Sequence, residues 1–207
     1  MKVTVIGAGN MGSAFVKQLT RAGHQVSITA RNLDKARTVA AANPGAAAVN
    51  AGNAAAGADV VVLATAFDDA IAALRSVGNL QGKVVIDITN PLTADYMGLT
   101  LGHSTSASEE IAKAVPGAEV VKAFNTTGAE NMAAPAYPGG AATMLLCGDD
   151  ELAKAAVWQL AAEVGFEPVD AGPLSAARHL ENLALLWIHL AQVNGLGRGI
   201  AFRLERK

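Results

Sequence analysis

A glycine turn near the start of the chain constrains the possible fold more than any other feature. Residues 3–6 form a largely apolar run typical of a buried parallel strand, and residues 11–22 carry apolar side chains at helical spacing. Between these segments lies Gly7-Ala8-Gly9-Asn10-Met11-Gly12, which has the G-x-G-x-x-G spacing. In this strand–turn–helix context, the pattern predicts a dinucleotide site at the start of a Rossmann-type domain.

Each glycine of this turn has its own physical task. Gly7 permits the tight turn, Gly9 lets the backbone approach a pyrophosphate, and Gly12 lets the helix lie close to the strand. The free N–H groups at the start of the helix then face the phosphate anion. We therefore predict that all six residues from Gly7 to Gly12 contact the cofactor.

The end of the second strand indicates which dinucleotide is bound. NAD sites usually place Asp or Glu there, to accept hydrogen bonds from the adenine ribose. Here the segment is Thr29-Ala30-Arg31-Asn32, and Lys35 follows one helical turn after Arg31. A guanidinium and an ammonium attract a 2′-phosphate that a carboxylate would repel. We therefore predict NADP(H), bound by Ala30, Arg31, Asn32 and Lys35; the alternative is that Arg31 and Lys35 are ordinary solvated charges.

Strand and helix patterns alternate along the rest of the chain. Strand-like runs follow at residues 26–30, 46–49, 59–64, 82–88, 119–124, 143–147 and 167–169, and the last helical pattern covers 175–193. With 51% hydrophobic and 16% charged residues, the 207-residue chain can cover both faces of a sheet. We predict an α/β fold: a Rossmann-type, doubly wound, mainly parallel sheet over residues 1–125, with a small C-terminal α/β extension over 126–207.

Three short polar segments follow predicted strands. They are Thr65-Ala66-Phe67, Thr89-Asn90-Pro91 and Asn125-Thr126-Thr127. Ligands of such folds bind outside the carboxyl ends of the strands, so we expect these segments to line one crevice. Small and neutral polar side chains suit an amide or a flat ring; the alternative is that each segment only caps a strand or helix.

Residues for acid–base, nucleophilic or metal chemistry are scarce. The four histidines, His24, His103, His179 and His189, show no triad pattern, and no Cys/His spacing suggests a metal site. The single cysteine, Cys147, ends an apolar run and is expected to be a buried core residue. We therefore predict no catalytic side chain and no metal. Hydride transfer between two flat cofactors fits, because it needs mainly positioning.

Charge and hydropathy limit the partners. The net charge is −2, without basic runs, so we expect no nucleic-acid partner. The sequence shows no signal-peptide pattern and no apolar stretch of membrane-spanning length, so we expect a cytoplasmic protein without a membrane partner. The last helical pattern is apolar on nearly all sides, and we expect this helix to form core contacts and a homodimer interface.

Longer motifs resemble one family of oxidoreductases, the NADP oxidoreductases that depend on the deazaflavin coenzyme F420. The similar segments, in order, are residues 5–12 and 30–32, Val121-Lys122-Ala123-Phe124-Asn125-Thr126-Thr127, Cys147-Gly148-Asp149-Asp150, Asp170-Ala171-Gly172-Pro173-Leu174 and Asn194-Gly195-Leu196-Gly197. Many dehydrogenases share the glycine motif, but the Cys-Gly-Asp-Asp and Asp-Ala-Gly-Pro-Leu segments are more specific. The resemblance covers essentially the whole chain.

This resemblance implies roles for particular residues. NADP would be held by residues 8–11, Arg31 and Lys35, and its nicotinamide half would lie near Phe67, Leu92 and Ala129. The acceptor ring would lie near Thr65, Pro91, Asn125 and Leu196, so the C-terminal part would complete the acceptor site.

Two segments differ from the members that use deazaflavin. Those members commonly carry Ile-Pro-Trp where this chain has Thr65-Ala66-Phe67. Asp87-Ile88-Thr89-Asn90-Pro91 is more similar to the reductase domain of membrane ferrireductases, in which NADPH reduces a flavin that passes electrons to iron. The expected second substrate is therefore coenzyme F420, FMN or FAD, and the alternative is an NADPH:flavin or ferric reductase that does not use deazaflavin.

Two other hypotheses belong to different classes. A reductase similar to pyrroline-carboxylate reductase or a hydroxyacid dehydrogenase shares the glycine motif, but needs a longer helical second domain than the residues after Phe124 provide. A non-catalytic NADPH sensor would keep the glycine turn and lose the open crevice beside the nicotinamide.

Overall fold

A computed structural model describes residues 1–207 and contains one eight-stranded sheet in the order β3-β2-β1-β4-β5-β6-β7-β8. The strands are β1 (Lys2–Ile6), β2 (Gln25–Thr29), β3 (Ala46–Ala48), β4 (Val60–Leu63), β5 (Val84–Asp87), β6 (Glu119–Lys122), β7 (Thr143–Gly148) and β8 (Glu167–Asp170). The first six are parallel, β7 pairs antiparallel with β6, and β8 is parallel to β7. The predicted fold class, a mainly parallel Rossmann-type sheet, is confirmed.

Seven α-helices cover the sheet. They are α1 (Asn10–Arg21), α2 (Leu33–Ala41), α3 (Phe67–Arg75), α4 (Ala107–Ala114), α5 (Ala129–Ala133), α6 (Glu151–Glu163) and α7 (Ala177–Ile188). Single 3-10 turns occur at Ala51–Asn53 and Leu174–Ala176, and α7 continues into a π-helical turn at His189–Val193. None of these helices is long and apolar enough to cross a membrane.

The core lies on both faces of the sheet because strand side chains alternate. Along β4, Val60 and Val62 pack in a cluster with Phe15 of α1, whereas Val61 and Leu63 face the opposite side. Helices α1 and α6 cover the first face, and α3 and α4 cover the second. A sheet covered on both faces explains why its central strands are continuous apolar runs.

The strand register brings the loops of interest to one edge. The last residue of β1, Ile6, pairs with Thr29 and with Leu63, the last residues of β2 and β4. Leu63 in turn pairs with Asp87, and Asp87 pairs with Lys122. The loops after these five strands therefore leave the sheet along one line, as expected for its ligand edge.

Side chains cap the starts of two helices. Helix α4 is capped by Ser106, whose side chain accepts from the Glu109 N–H. Helix α6 is capped by Asp150, whereas the Asp149 carboxylate accepts from the N–H of Leu174. Helix α5 was not predicted, and the expected last helix is divided into a 3-10 turn, α7 and the π-helical turn. The division into two parts at residue 125 stays a prediction.

Candidate functional site

The glycine turn packs against the ends of β2 and β4. The N–H of Gly7 donates to the carbonyl of Thr29 over 2.8 Å, and Gly7 has a φ of +115°. A Cβ on Gly7 would collide with the carbonyl oxygen of Ala64, and a Cβ on Gly12 with that of Gly7. These two positions therefore require glycine for the fold itself.

Gly9 is different, because its side-chain position is open. It is exposed, and no heavy atom lies within 4 Å of the position that its Cβ would take. Gly9 is the N-cap of α1, and no side chain caps the helix. The first N–H groups of α1, beginning at Asn10 and Met11, are therefore available to an anion. This arrangement fits a pyrophosphate.

The loop after β2 presents two accessible positive charges. The side chain of Arg31 is 89% exposed, and its only ion pair is a 3.5 Å contact with Asp69 of α3. Lys35 is exposed and makes no ion pair, because the nearby Asp34 pairs with Arg37. Both charges therefore remain available for a phosphate.

The side chain of Asn32 is partly committed. Its Oδ1 accepts from the N–H groups of Asp34 and Lys35, which makes Asn32 the N-cap of α2. Ala30 is half-buried beside it. Asn32 therefore fixes the start of α2, and only its amide NH₂ remains for a ligand.

The loops after β5 and β6 are joined by two asparagines. Asn90 Nδ2 donates to the backbone carbonyl of Asn125 over 3.0 Å, and Asn125 Nδ2 donates to Asn90 Oδ1 over 2.9 Å. Asn125 Nδ2 also donates to the carbonyl of Leu180 in α7 over 3.0 Å. Phe124, at a left-handed φ of 60°, turns the chain just before Asn125. Such strained positions of bulky residues cluster at functional sites.

Three buried polar atoms at this edge have no partner. They are Thr89 Oγ1, Asn125 Oδ1 and Thr127 Oγ1. An unpaired buried polar atom costs about 1–3 kcal/mol, so such atoms are normally satisfied by a ligand or by water. Thr126 and Pro91 are buried beside them. Unpartnered acceptors beside small side chains fit the N–H groups of a flat heterocycle or carboxamide.

A buried ionic cluster supports these loops, and the site prediction did not include it. Lys122 Nζ contacts Asp87 Oδ2 at 2.8 Å and Glu181 Oε1 at 2.9 Å, and all three residues are at most 1% exposed. Burial opposes the charge on Lys122, but the two carboxylates outweigh it and raise the pKa of this amine. Burial raises the pKa of Glu181, against the attraction of Lys122. Isolated charges in apolar elements are the sequence signal of such a cluster.

The segment that follows the π-helical turn is fixed on α5. Asn131 Nδ2 donates to the carbonyls of Arg198 and Ile200, at 3.1 and 2.8 Å, and the indole N–H of Trp187 also donates to Ile200. Leu196 lies between two glycines of positive φ and is 59% exposed. The chain just after Leu196 is therefore held by α5, which begins at Ala129.

The remaining predicted residues lie at the same sheet edge. Thr65 and Ala66 follow β4, where Ala66 is the N-cap of α3, and Phe67 is its first residue. Leu92 bridges to Leu99 in a short hairpin that leaves from Pro91. No hydrogen bond or ion pair joins these residues to Leu196, whose N–H donates to Leu190.

The histidines and the cysteine lie outside this arrangement. His24 lies 2.9 Å from the carboxylate of Glu163, and this pair joins the turn after α1 to α6. No group of three or more His, Cys, Asp or Glu side chains is arranged to hold a metal ion. Cys147 is fully buried, and burial raises the pKa of its thiol to about 12. A cavity of about 520 Å³ lies beside the first half of α7, and none of the predicted site residues lines it.

Comparison with proteins of known sequence gives one family model and two relatives. Residues 2–91 match the family model of the coenzyme F420-dependent NADP oxidoreductases. The chain is 31% identical over 185 residues to Metalloreductase STEAP3 of Rattus norvegicus, covering 89% of this chain and 36% of that protein. It is 33% identical over 107 residues to Metalloreductase STEAP2 of Homo sapiens, covering 51% and 20%. The chain therefore spans much less than two thirds of these relatives.

Solved structures extend the similarity to the whole chain. A proposed F420-dependent NADP reductase from Arthrobacter sp. FB24 has a TM-score of 0.90 and 32% identity, with 100% of both chains covered. The hypothetical protein SMa0349 from Sinorhizobium meliloti has a TM-score of 0.78 and 31% identity, covering 86% of this chain and 88% of that one. A reductive aminase from Aspergillus terreus, solved with NADPH, is 21% identical with a TM-score of 0.69, over 94% and 62% of the chains, and shares the fold.

These matches confirm the resemblance based on the sequence motifs. Because a relative of the same length is 32% identical over the whole chain, and the family model matches the nucleotide half, the chain belongs to the coenzyme F420-dependent NADP oxidoreductase family.

Proposed function

We propose that this protein transfers a hydride between NADP(H) and a deazaflavin or flavin. The observation that carries the proposal is the uncapped start of α1 at Gly9, with open space before it. The accessible charges of Arg31 and Lys35 follow the neighbouring strand. Together these features supply donors for a pyrophosphate and a cationic seat for a 2′-phosphate.

The nucleotide would lie along the carboxyl edge of the sheet. Residues 7–12 would hold the pyrophosphate, and Ala30, Arg31, Asn32 and Lys35 would surround the adenosine end. Phe67, Leu92 and Ala129 would pack near the nicotinamide, which supplies the hydride when the cofactor is bound. None of these last three side chains ionises, so their contribution is packing and exclusion of water.

The acceptor would lie beside the loops after β4, β5 and β6. Thr65, Ala66, Asn90, Pro91, Asn125, Thr126 and Leu196 would line its site. The unpartnered Asn125 Oδ1 would accept a hydrogen bond from a ring or amide N–H. Because Asn125 is already fixed by Asn90 and Leu180, its Oδ1 atom would need little reorganisation when a ligand binds.

The identity of the acceptor divides the proposal into two variants. The family and the Arthrobacter relative favour coenzyme F420. The identity to Metalloreductase STEAP3 favours reduction of a metal ion. By the resemblance of residues 87–91 to the reductase domain of membrane ferrireductases, FMN or FAD would then be the acceptor and ferric iron the second one. In that variant, the two electrons of the hydride from NADPH would pass through the flavin, one to each of two ferric ions, and the hydrogen of the hydride would be released as a proton.

A panel of acceptors tests the proposal. Purified protein and NADPH are mixed with F420, FMN, FAD or a ferric chelate, and absorbance at 340 nm is followed. Oxidation with F420 alone supports the first variant, and oxidation with FMN or FAD supports the second. Tight NADPH binding without oxidation by any acceptor would refute the enzyme and leave a sensor.

The nucleotide preference is tested by Arg31→Asp. Losing one charge-assisted hydrogen bond to the phosphate costs about 1.5–3 kcal/mol, so the preference for NADPH over NADH should fall by about 10- to 100-fold. Arg37→Asp is the matched control, because Arg37 lies in α2, the helix that follows Arg31, and pairs with Asp34. Equal losses in both variants would show that long-range charge, not a phosphate contact, sets the preference.

The assembly and location are also part of the proposal. We propose a cytoplasmic homodimer in which the exposed Leu186 of α7 contacts a second copy. Sedimentation of the wild type and of Leu186→Glu tests this, because a buried charge in the interface would give a monomer. A monomeric wild type at micromolar concentration contradicts it.

A further inference from the structure

We infer that Asp87, Lys122 and Glu181 form a positioning network that fixes the shape of the acceptor site without touching the ligand. The inference rests on the proposed function, because it assigns these loops to the reacting ring. The three residues come from β5, β6 and α7, and the sheet register places Asp87 directly opposite Lys122.

The ammonium group of Lys122 has three partners. Its Nζ donates to Asp87 Oδ2 over 2.8 Å and to the carbonyl of Thr89 over 2.6 Å, and it forms an ion pair with Glu181 Oε1 at 2.9 Å. Glu181 Oε1 has no hydrogen-bond partner, so this third contact is an ion pair only. Such a buried cluster ties the loop after β5 to β6 and α7, because charges in a low-dielectric interior interact strongly.

Both carboxylates also accept from the backbone or from a hydroxyl. Asp87 Oδ1 accepts from the N–H of Thr89 over 2.8 Å, and Asp87 Oδ2 from the hydroxyl of Ser108 over 2.6 Å. Glu181 Oε2 accepts from the N–H of Ala107, at the start of α4, over 3.2 Å. Lys122 lies at one oxygen of Glu181 and the Ala107 N–H at the other, so Glu181→Gln would place an NH₂ donor against one of these two donors.

Through these bonds the network holds both walls of the acceptor site. Thr89 is held by its N–H and its carbonyl, so the adjoining Asn90 leaves the sheet in one direction. Glu181 fixes α7 beside Leu180, whose carbonyl accepts from Asn125. The Asn90–Asn125 pair therefore has its two backbones anchored by one ionic cluster. No hydrogen bond or ion pair joins the glycine turn or Arg31 to the cluster.

The experiment combines hydrogen exchange with kinetics for Glu181→Gln and for Ser108→Ala, a milder change that keeps all charges. In both variants without ligand, amide exchange in residues 87–91 and 123–127 should be about tenfold faster, and exchange in residues 7–12 unchanged. With an active acceptor, kcat should fall about tenfold or more while the Kd for NADPH stays within about twofold. Lys154→Met, which removes an ion-paired lysine of α6, should change neither.

Each outcome decides the inference. Unchanged exchange near Thr89 and Asn125 overturns it, and so does faster exchange throughout the chain, which would indicate general loss of stability. If none of the acceptors supports NADPH oxidation by the wild type, the proposed function fails. Local amide exchange in the ligand-free protein then still decides whether the network has a positioning role. If the wild type is active and kcat does not change in either variant, the inference is wrong and the proposed function stands.

Discussion

Replacing Lys122 with methionine should destabilise the protein by about 3–5 kcal/mol, the cost of leaving buried carboxylates without their counter-charge. Asp87 and Glu181 lie at 2.8 and 2.9 Å from the ammonium and are 0% and 1% exposed, so water cannot replace it. Since domains are stable by only about 5–15 kcal/mol, this is a large fraction of the total. The midpoint of urea unfolding at pH 7 should fall by about 1–2 M.

Lys154→Met provides a matched control. Lys154 also makes two ion pairs at 2.8 Å, but its partners Glu151 and Asp170 are 83% and 40% exposed. Those carboxylates can be hydrated when the ammonium is lost, so the loss of stability should be much smaller than in Lys122→Met. Equal losses in the two variants would refute the reasoning, because burial would then have no part in the effect.

The pH dependence of Lys122→Met gives a second test. Burial already raises the pKa of Glu181 above its ordinary value of 4.5, and the loss of Lys122 removes a group that lowers it. The folded variant then binds a proton at Glu181 that the unfolded chain has released, so its stability falls as pH rises above 4.5. The deficit relative to the wild type should therefore shrink from pH 7 to about pH 5. A deficit that does not depend on pH would contradict the assignment.

Three further predictions follow from local geometry. Gly9→Ala should leave thermal stability unchanged but weaken NADPH binding about tenfold or more, because its Cβ enters the open space proposed for the phosphate. Gly12→Ala should lower the melting temperature, because its Cβ collides with the carbonyl of Gly7. Equal losses of stability in the two variants would contradict these separate roles. Asn131→Ala removes two hydrogen bonds to the carbonyls of Arg198 and Ile200, at a cost in stability of about 1–3 kcal/mol. Limited proteolysis after residue 194 should therefore be faster than in the wild type. An unchanged cleavage rate would contradict the anchoring role of Asn131. Cys147, with its pKa at about 12, should react with a thiol reagent at pH 8 only in urea; rapid reaction of the native protein would show that the thiol is accessible.

The parts of the fold that follow from local patterns were predictable. Apolar runs separated by helical spacing give the strands and most helices, because a parallel sheet buried on both faces needs continuous apolar strands. The glycine turn and the absence of a carboxylate after β2 could also be recognised in the sequence, because each is a pattern of a few adjacent residues. Helix α5 was missed because its five residues carry no period, and it is held by packing on α1 and by Asn131.

The buried network beneath the proposed acceptor site could not be predicted from the sequence. Lys122, Asp87 and Glu181 belong to three elements distant in sequence, and no spacing links them. The Asn90–Asn125 pair was predicted at the same edge, but its reciprocal hydrogen bonds depend on the register of β5 and β6.

By itself, the sequence determined the α/β class, the glycine turn at Gly9 and the accessible charges of Arg31 and Lys35, because these depend on backbone freedom and charge at short range. Only the tertiary structure decided which polar groups are buried together, since burial and hydrogen-bond geometry arise when distant strands align. The sheet register that places Asp87 opposite Lys122 joins a cation to its counter-charges beneath the site.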